Sequence, residues 1–392
     1  MKQLVLALVV VGSIILGRLW GDGAEILRPV AQLILGAFKF IVVPMVFSAI
    51  ALAILRIDSN LKGIVKQTLG LFLLLTCFAA LLAYAVVMIL PHPKAFSYVT
   101  NHPIAALTLQ SWAESLLPTN FVGALTGSSL TQVTIVSVLA GLGLRASRHR
   151  DFFITLFEGA YDMSMQWMTS INRVLPIFIA VLITWGVGTN WIQLGTSAII
   201  VISTIFVAVT IHIVVSYSIL VWVCNRRSLR LFWKHIWPVA ATAFATTSAG
   251  ATLPVTVDAM RKMSISETII QFVAPTGSII NKGGTAIFHV VGIWTICLVW
   301  GIPVNSIFLV QLFLVVVVTS FATGNIPGAG LVGFSMIVPM LGLPIASIAM
   351  IAAIDRICDM MRTPTNVIGD CAVALSVQGL NENIRKIKAT SI

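Results

Sequence analysis

The chain has 392 residues, 58% of them apolar types and only 9% charged, against roughly 25% charge in a soluble globular domain. That balance cannot cover a water-facing surface, so a soluble protein is excluded and a bilayer-embedded one is expected. Lysine and arginine outnumber aspartate and glutamate by 24 to 13, an excess that would admit nucleic acid as a partner if the cations formed a stripe interleaved with aromatics, which they do not.

Runs of about 20 apolar residues suffice to cross a bilayer. They place spans near 4–22, 29–55, 64–91, 104–144 (long enough to be broken), 152–187 and 191–224. The first, opening Met1-Lys2 and apolar to Gly17, also has the form of a signal peptide. A retained span is the expectation, because the rest of the chain offers no soluble domain to secrete. Residues 237–260 are apolar yet bracketed by Lys234 and His235 before and Arg261 and Lys262 after. If both flanks are cytoplasmic, the segment 229–262 enters and returns as a hairpin, with Thr246-Thr247-Ser248-Ala249-Gly250-Ala251-Thr252-Leu253-Pro254 suited to its tip.

The next span, near 266–299, is broken by Pro275, Gly277 and Asn281-Lys282-Gly283-Gly284-Thr285. Residues 303–343 carry no formal charge and are interrupted by Thr323-Gly324-Asn325-Ile326-Pro327-Gly328-Ala329-Gly330, which reads as a second hairpin entered from outside. Non-helical backbone at membrane depth must be buried in protein or line a wet cavity. Paired interrupted segments entering from opposite faces point to a binding site near the midplane.

The whole reads as an all-α polytopic membrane protein with eight transmembrane segments and two re-entrant helical hairpins. Sixteen lysines and arginines then fall on one side, at Lys2, Arg56, Lys62, Lys66, 145–150, 226–234, 261–262 and 385–388, against Arg18, Arg28 and Lys94 on the other. By the positive-inside rule both termini are cytoplasmic, which for a bacterial chain means the plasma (inner) membrane. The five cysteines show no paired short spacing and read as small core residues, neither a disulfide framework nor a metal site.

The last span carries Asp355, Asp359, Arg362, Asn366 and Asp370, which at about 100° per residue share one face. A charge at the bilayer centre costs at least about 2.5–3.5 kcal/mol, so this face must meet protein or a cavity. It is net negative and favours cations nearby. An internal ion-pair seam that merely fastens helices, with Arg356 at its edge, is the plainer reading. Pro364 removes one backbone donor from this helix and frees a carbonyl.

These motifs resemble the glutamate-transporter family, the dicarboxylate/amino acid:cation symporters, in their archaeal and bacterial form. The likeness is carried by Ala251-Thr252-Leu253-Pro254-Val255-Thr256, Asn281 to Thr285, Ile326-Pro327-Gly328-Ala329-Gly330, Asp355-Arg356 and Asp359-Met360-Met361-Arg362-Thr363 through Asn366-Val367-Ile368-Gly369-Asp370, with Val43-Pro44-Met45-Val46-Phe47 upstream. The resemblance implies a homotrimeric elevator transporter for an acidic amino acid. Its scaffold would be 1–63 and 92–190, its moving domain 64–91 and 191–380, and 381–392 a cytoplasmic tail.

By position in the motifs, Arg362 would grip the substrate side-chain carboxylate, Asp359 the α-ammonium and Asn366 the α-carboxylate. Thr285 and Thr363 would add hydroxyls, and backbone around Ser248, Ile326 and Gly330 would close the site. A guanidinium suits the first role, since its planar fork matches two oxygens. Carriers of the family that lack the aspartate take dicarboxylates, and those that lack the arginine take neutral amino acids.

The departures matter as much. The family's Asn-Met-Asp-Gly-Thr is here Asn281-Lys282-Gly283-Gly284-Thr285, so Gly283 replaces a carboxylate that ligates one sodium. The accompanying Tyr, Thr and Ser align with Leu73, Thr76 and Cys77, and that sodium site is expected to be absent. A coupling site would comprise Lys282, Asp370, Asn281, Asn366, Gly277 and Asp355, with Asn281, Asn366 and Asp370 as a residual sodium site.

Lys282 lies deep in its span and needs a carboxylate, for which Asp370 is the candidate. It can act as a tethered cation, a proton carrier or one half of a structural salt bridge. No cofactor beyond a coupling sodium or proton is expected, and the partners are the acidic amino acid, the lipid bilayer and further copies of the chain. An intramembrane enzyme using Ser248, His289 and Asp370 lacks any nucleophile motif, and a channel would not show saturable exchange.

Overall fold

The computed structural model describes residues 2–55, 62–90, 118, 120–126, 130–188, 196–225, 229–322, 329–344 and 347–390, and every regular element among them is a helix. They are α1 (Lys2–Trp20), a 3-10 segment (Gly21–Leu27), α2 (Arg28–Leu55), α3 (Lys62–Ile89), α4 (Phe121–Thr126), α5 (Leu130–Arg145), α6 (Arg150–Gly188) and α7 (Thr196–Ile211). A π-helical segment (His212–Tyr217) leads into α8 (Ser218–Cys224), then come α9 (Leu229–His235), α10 (Trp237–Thr246), α11 (Ala249–Lys262), α12 (Glu267–Ile280) and α13 (Gly283–Val299). The chain ends through α14 (Ser306–Ala322), α15 (Ala329–Met340) and α16 (Ser347–Thr390).

Among the described residues, Gly63–Ile89, Ala198–Cys224 and Glu267–Val299 are long and apolar enough to cross a membrane. Large apolar side chains such as Leu19, Leu81, Ile89 and Phe206 stay outward, as expected where lipid is the solvent. Residues 104–117, 119 and 127–129 of the expected span near 104–144 and the core of the second hairpin tip, including Ile326, lie outside the described residues. The expected span near 191–224 is found as Ala198–Cys224, with the π segment inside it, which no hydrophobic period could reveal because every position in it is compatible with an α-helix.

Two compact units divide the chain. The first is Met1–Arg56, Pro91–Ile202 and Gly292–Ile357. In it α6 packs against both α1 and α2. Gly17 makes the first approach possible, since a Cβ there would lie 2.8 Å from the Thr184 carbonyl oxygen, the close-contact use of small residues between membrane helices. Ile41, Met45 and Val46 of α2 meet Val133 of α5 and Val332 and Met336 of α15.

At the end of α2 the Leu55 carbonyl accepts from Arg150 Nε at 2.9 Å and Nη2 at 2.7 Å, so a guanidinium from the first turn of α6 satisfies an orphan helix carbonyl. Arg150→Ala should therefore lower stability by about 1.5–3 kcal/mol, the range for hydrogen bonds to a charged group, with substrate affinity unchanged. Thermal unfolding beside a binding isotherm checks this.

The second unit is Ile57–Leu90, Ser203–Val291 and Cys358–Ile392. Its core gathers Phe72, Tyr217, Phe232, Met260, Ile270 and Val373. The helices α10 and α11 pack against each other across a turn at Thr247-Ser248. Thr247 is left-handed at φ 50° and ψ 36°, and Ser248 accepts from the Ala251 N–H at 3.2 Å as the N-cap of α11. A positive φ at a β-branched residue costs backbone strain. Arg261 at the end of α11 pairs with Glu267 at 2.7 Å, and Glu267 lies in the first turn of α12, where a carboxylate suits the helix dipole. Helix α12 stops at Asn281, whose backbone is extended at φ −73° and ψ 110°, and α13 begins two residues later.

Candidate functional site

On α16 a helical spacing of three and four residues sets Asp359, Arg362 and Thr363 side by side. All three are buried, Asp359 to 5% exposure and Arg362 to 2%. Arg362 donates to Asp359 Oδ1 from Nε at 3.1 Å and Nη2 at 2.9 Å, and the Thr363 hydroxyl donates to the same oxygen at 2.9 Å. The three bonds converge on one carboxylate oxygen, and Oδ2 takes none of them. The guanidinium also stacks over the Phe288 ring of α13, 4.9 Å from its centroid, a cation–π contact. Phe288 is a residue that sequence reading passed over as ordinary core.

One turn on, Asn366 meets the start of α13. Its Oδ1 accepts from the Gly284 N–H at 2.9 Å, and its Nδ2 donates to the Thr285 hydroxyl at 3.3 Å. It thus caps a helix 82 residues away in sequence, supplying the side-chain acceptor that an N-terminal N–H lacks. Gly284 permits the approach, because a Cβ there would lie 2.5 Å from the Arg362 carbonyl oxygen. That atom is backbone and cannot swing away. Gly284→Ala should cost about 1–3 kcal/mol in stability by overpacking and weaken substrate binding with it; thermal melts with and without aspartate read both effects.

Asp370 and the break between α12 and α13 form the next layer. Asn281 Nδ2 donates to Asp370 Oδ1 at 2.9 Å and to the Asn366 carbonyl at 2.7 Å. Gly277 lies against the same carboxylate, where a Cβ would clash. The expected pairing of Lys282 with Asp370 is not formed among the described residues. The Lys282 ammonium instead donates to the Ser278 carbonyl at 3.0 Å, with the residue 4% exposed. The extended backbone at Asn281 explains this, since consecutive side chains of an extended chain diverge. With Asn281 turned to Asp370, Lys282 is turned elsewhere and settles on the C-terminal end of α12, where a cation meets the negative end of the helix.

Asp359, Arg362, Thr363, Asn366, Asp370, Gly277, Asn281, Lys282 and Thr285 thus lie together in the second unit. Ser248 belongs to that unit too, its hydroxyl occupied as the cap of α11. Gly330 and Asp355 are buried in the first unit, and Ile326 lies outside the described residues. Tyr217, whose hydroxyl donates to the Thr365 carbonyl at 2.8 Å, was not legible in sequence. Inside an apolar run it is indistinguishable from core.

A buried guanidinium beside a carboxylate with one oxygen open can bind a molecule carrying both an anionic and a cationic group. The family model described as the sodium:dicarboxylate symporter family matches residues 1–380. The chain is 25% identical to the proton/sodium-glutamate symport protein of Bacillus subtilis, over 97% of this chain and 92% of that protein. It is 24% identical to the proton/glutamate-aspartate symporter of Escherichia coli, over 93% and 87% respectively. It is also 28% identical to excitatory amino acid transporter 1 of Ambystoma tigrinum, over 73% and 53%.

Proposed function

Since this chain belongs to the sodium:dicarboxylate symporter family, and is thereby a membrane transporter and not an enzyme, we propose that it carries aspartate or glutamate and that Lys282 replaces a bound cation in its coupling. The observation that carries this reading is the buried Asp359–Arg362 pair with Thr363 on the same carboxylate oxygen. The substrate amine would go to the open oxygen of Asp359 and its side-chain carboxylate to the Arg362 guanidinium, with Asn366, Thr285 and Thr363 beside them. The names of the relatives, which print glutamate and aspartate, agree with that chemistry.

In the same reading, residues 64–91 and 191–380 move as an elevator against a trimeric scaffold of 1–63 and 92–190, with both termini cytoplasmic. The re-entrant segments 229–262 and 303–343 gate the site, and Ser248, Ile326 and Gly330 close it. Residues 292–357 group with the first compact unit, so the proposed moving body is wider than the second unit alone.

A second reading, a sodium- or proton-coupled symporter with fewer ions, draws on the cluster of Asn281, Asn366 and Asp370. Their oxygens would suit a sodium ion, but the Asn281 amide already joins Asp370 to the Asn366 carbonyl. Uptake of labelled aspartate into proteoliposomes, with sodium and proton gradients imposed separately, tests both. Uptake indifferent to sodium supports the first reading, and a steep sodium requirement replaces it with the second.

A further inference from the structure

The π-helical segment places His212 against Gly283, at the break between α12 and α13. His212 is fully buried, and neither Nδ1 nor Nε2 has a hydrogen-bond partner among the described residues. A neutral imidazole carries one donor and one acceptor, and leaving such groups buried and unpaired costs about 1–3 kcal/mol each. A residue retained at that cost calls for a ligand.

Its surroundings narrow what the ligand is. A Cβ on Gly283 would lie 3.0 Å from His212 Nε2 and 3.6 Å from the Tyr217 hydroxyl, so the imidazole occupies the space that a side chain at 283 would fill and little room is left for an ion with its own shell. The ring is flanked by Phe78, stacked at 6.5 Å, and by Tyr217, edge-on at 4.7 Å, and aromatic faces accept a cationic ring. The titratable groups on the surrounding elements are Cys77 on α3, Tyr217 on the same turn, Lys282 at the break and Asp370 on α16. Lys282 is engaged by the Ser278 carbonyl, and Asp370 by Asn281. Single π turns occur often at functional sites, and a return to α-helical register would re-aim the ring.

We propose that His212 binds the proton that accompanies the substrate. A proton enters from water at one face and adds to the unprotonated ring nitrogen, so that both nitrogens carry N–H as imidazolium, and it is returned to water at the other face. One proton offsets the single net negative charge of an acidic amino acid, so the loaded carrier crosses with the same charge as the empty one. The proposal rests on the reading of the chain as an acidic amino-acid carrier without sodium coupling.

The test uses the full-length chain in sodium-free proteoliposomes, with labelled aspartate outside and a pH dye inside. The native protein should move about one proton with each aspartate, as an imidazole can, and respond to an imposed pH gradient. His212→Gln should still bind aspartate but move no protons and ignore the gradient. Proton movement in His212→Gln at the native ratio overturns the proposal, and so does proton-free aspartate uptake by the native protein, which leaves the carrier reading intact. No aspartate uptake at all by the native protein overturns the carrier reading and the proposal with it. Should His212→Gln not fold, Gly283→Ala, which presses a methyl against Nε2, must shift the pH midpoint of aspartate affinity; an unmoved midpoint overturns the proposal equally.

Discussion

Arg362→Ala should lower aspartate affinity by about two to three and a half orders of magnitude, the equivalent of the 3–5 kcal/mol that removing one partner of a buried pair typically costs. Two penalties combine. The ligand carboxylate enters a site without its fork of donors, and Asp359 loses both guanidinium bonds to its Oδ1, keeping only the Thr363 hydroxyl there. Arg362→Lys restores the charge without the planar fork and should recover only part of the loss. Calorimetry on folded, purified variants reads this directly, and unchanged aspartate affinity in Arg362→Ala would overturn the proposed orientation of the ligand. The companion change Asp359→Ser should lose amino acids and gain affinity for dicarboxylates; a retained preference for the amine would count against its role.

Lys282→Met should abolish sodium-free aspartate binding, the second of the two large effects. The ammonium is buried at the junction of two helices and sits on the Ser278 carbonyl. It brings a positive charge to the layer where Asp370, Asn281 and Asn366 meet. Removing it strips the buried Asp370 carboxylate of the field of the Lys282 ammonium, a cost that a diffusible ion would then have to offset. Native affinity should be flat across sodium concentrations. A steep sodium dependence of the native protein would end the hypothesis. Sodium-free binding that survives in Lys282→Met would reduce the lysine to a cap on α12, visible only as a lower melting temperature.

Much of this site was legible in sequence for a simple reason: helical geometry is local. Residues three and four apart on one helix must share a face, so the alignment of Asp359, Arg362, Asn366 and Asp370 follows from their spacing alone. The breaks at Thr247-Ser248 and Asn281-Lys282 were legible too. A Ser that can cap a helix and paired glycines after an Asn mark where an apolar run cannot remain one helix. The membrane itself was evident from composition, because a chain with so few charges has no water-soluble surface to present.

Partner choice was not legible. Asn366 bonds Gly284 and Thr285, and Asn281 bonds Asp370, across separations of 81 to 89 residues. Nothing in either segment alone specifies those pairs. Lys282 was expected to meet the carboxylate of Asp370 because opposite buried charges attract, yet the extended backbone of Asn281 points it to the Ser278 carbonyl instead. The π segment and the buried imidazole of His212 are likewise products of tertiary packing. One extra residue per turn leaves no periodic trace, and burial of a polar ring is decided by what closes over it. By itself the sequence determined the solvent, the helices, their breaks and the ionic face, since these depend on residues a few positions apart. Only the tertiary structure decided which buried donor meets which acceptor, because those contacts are set by the register of whole helices against one another.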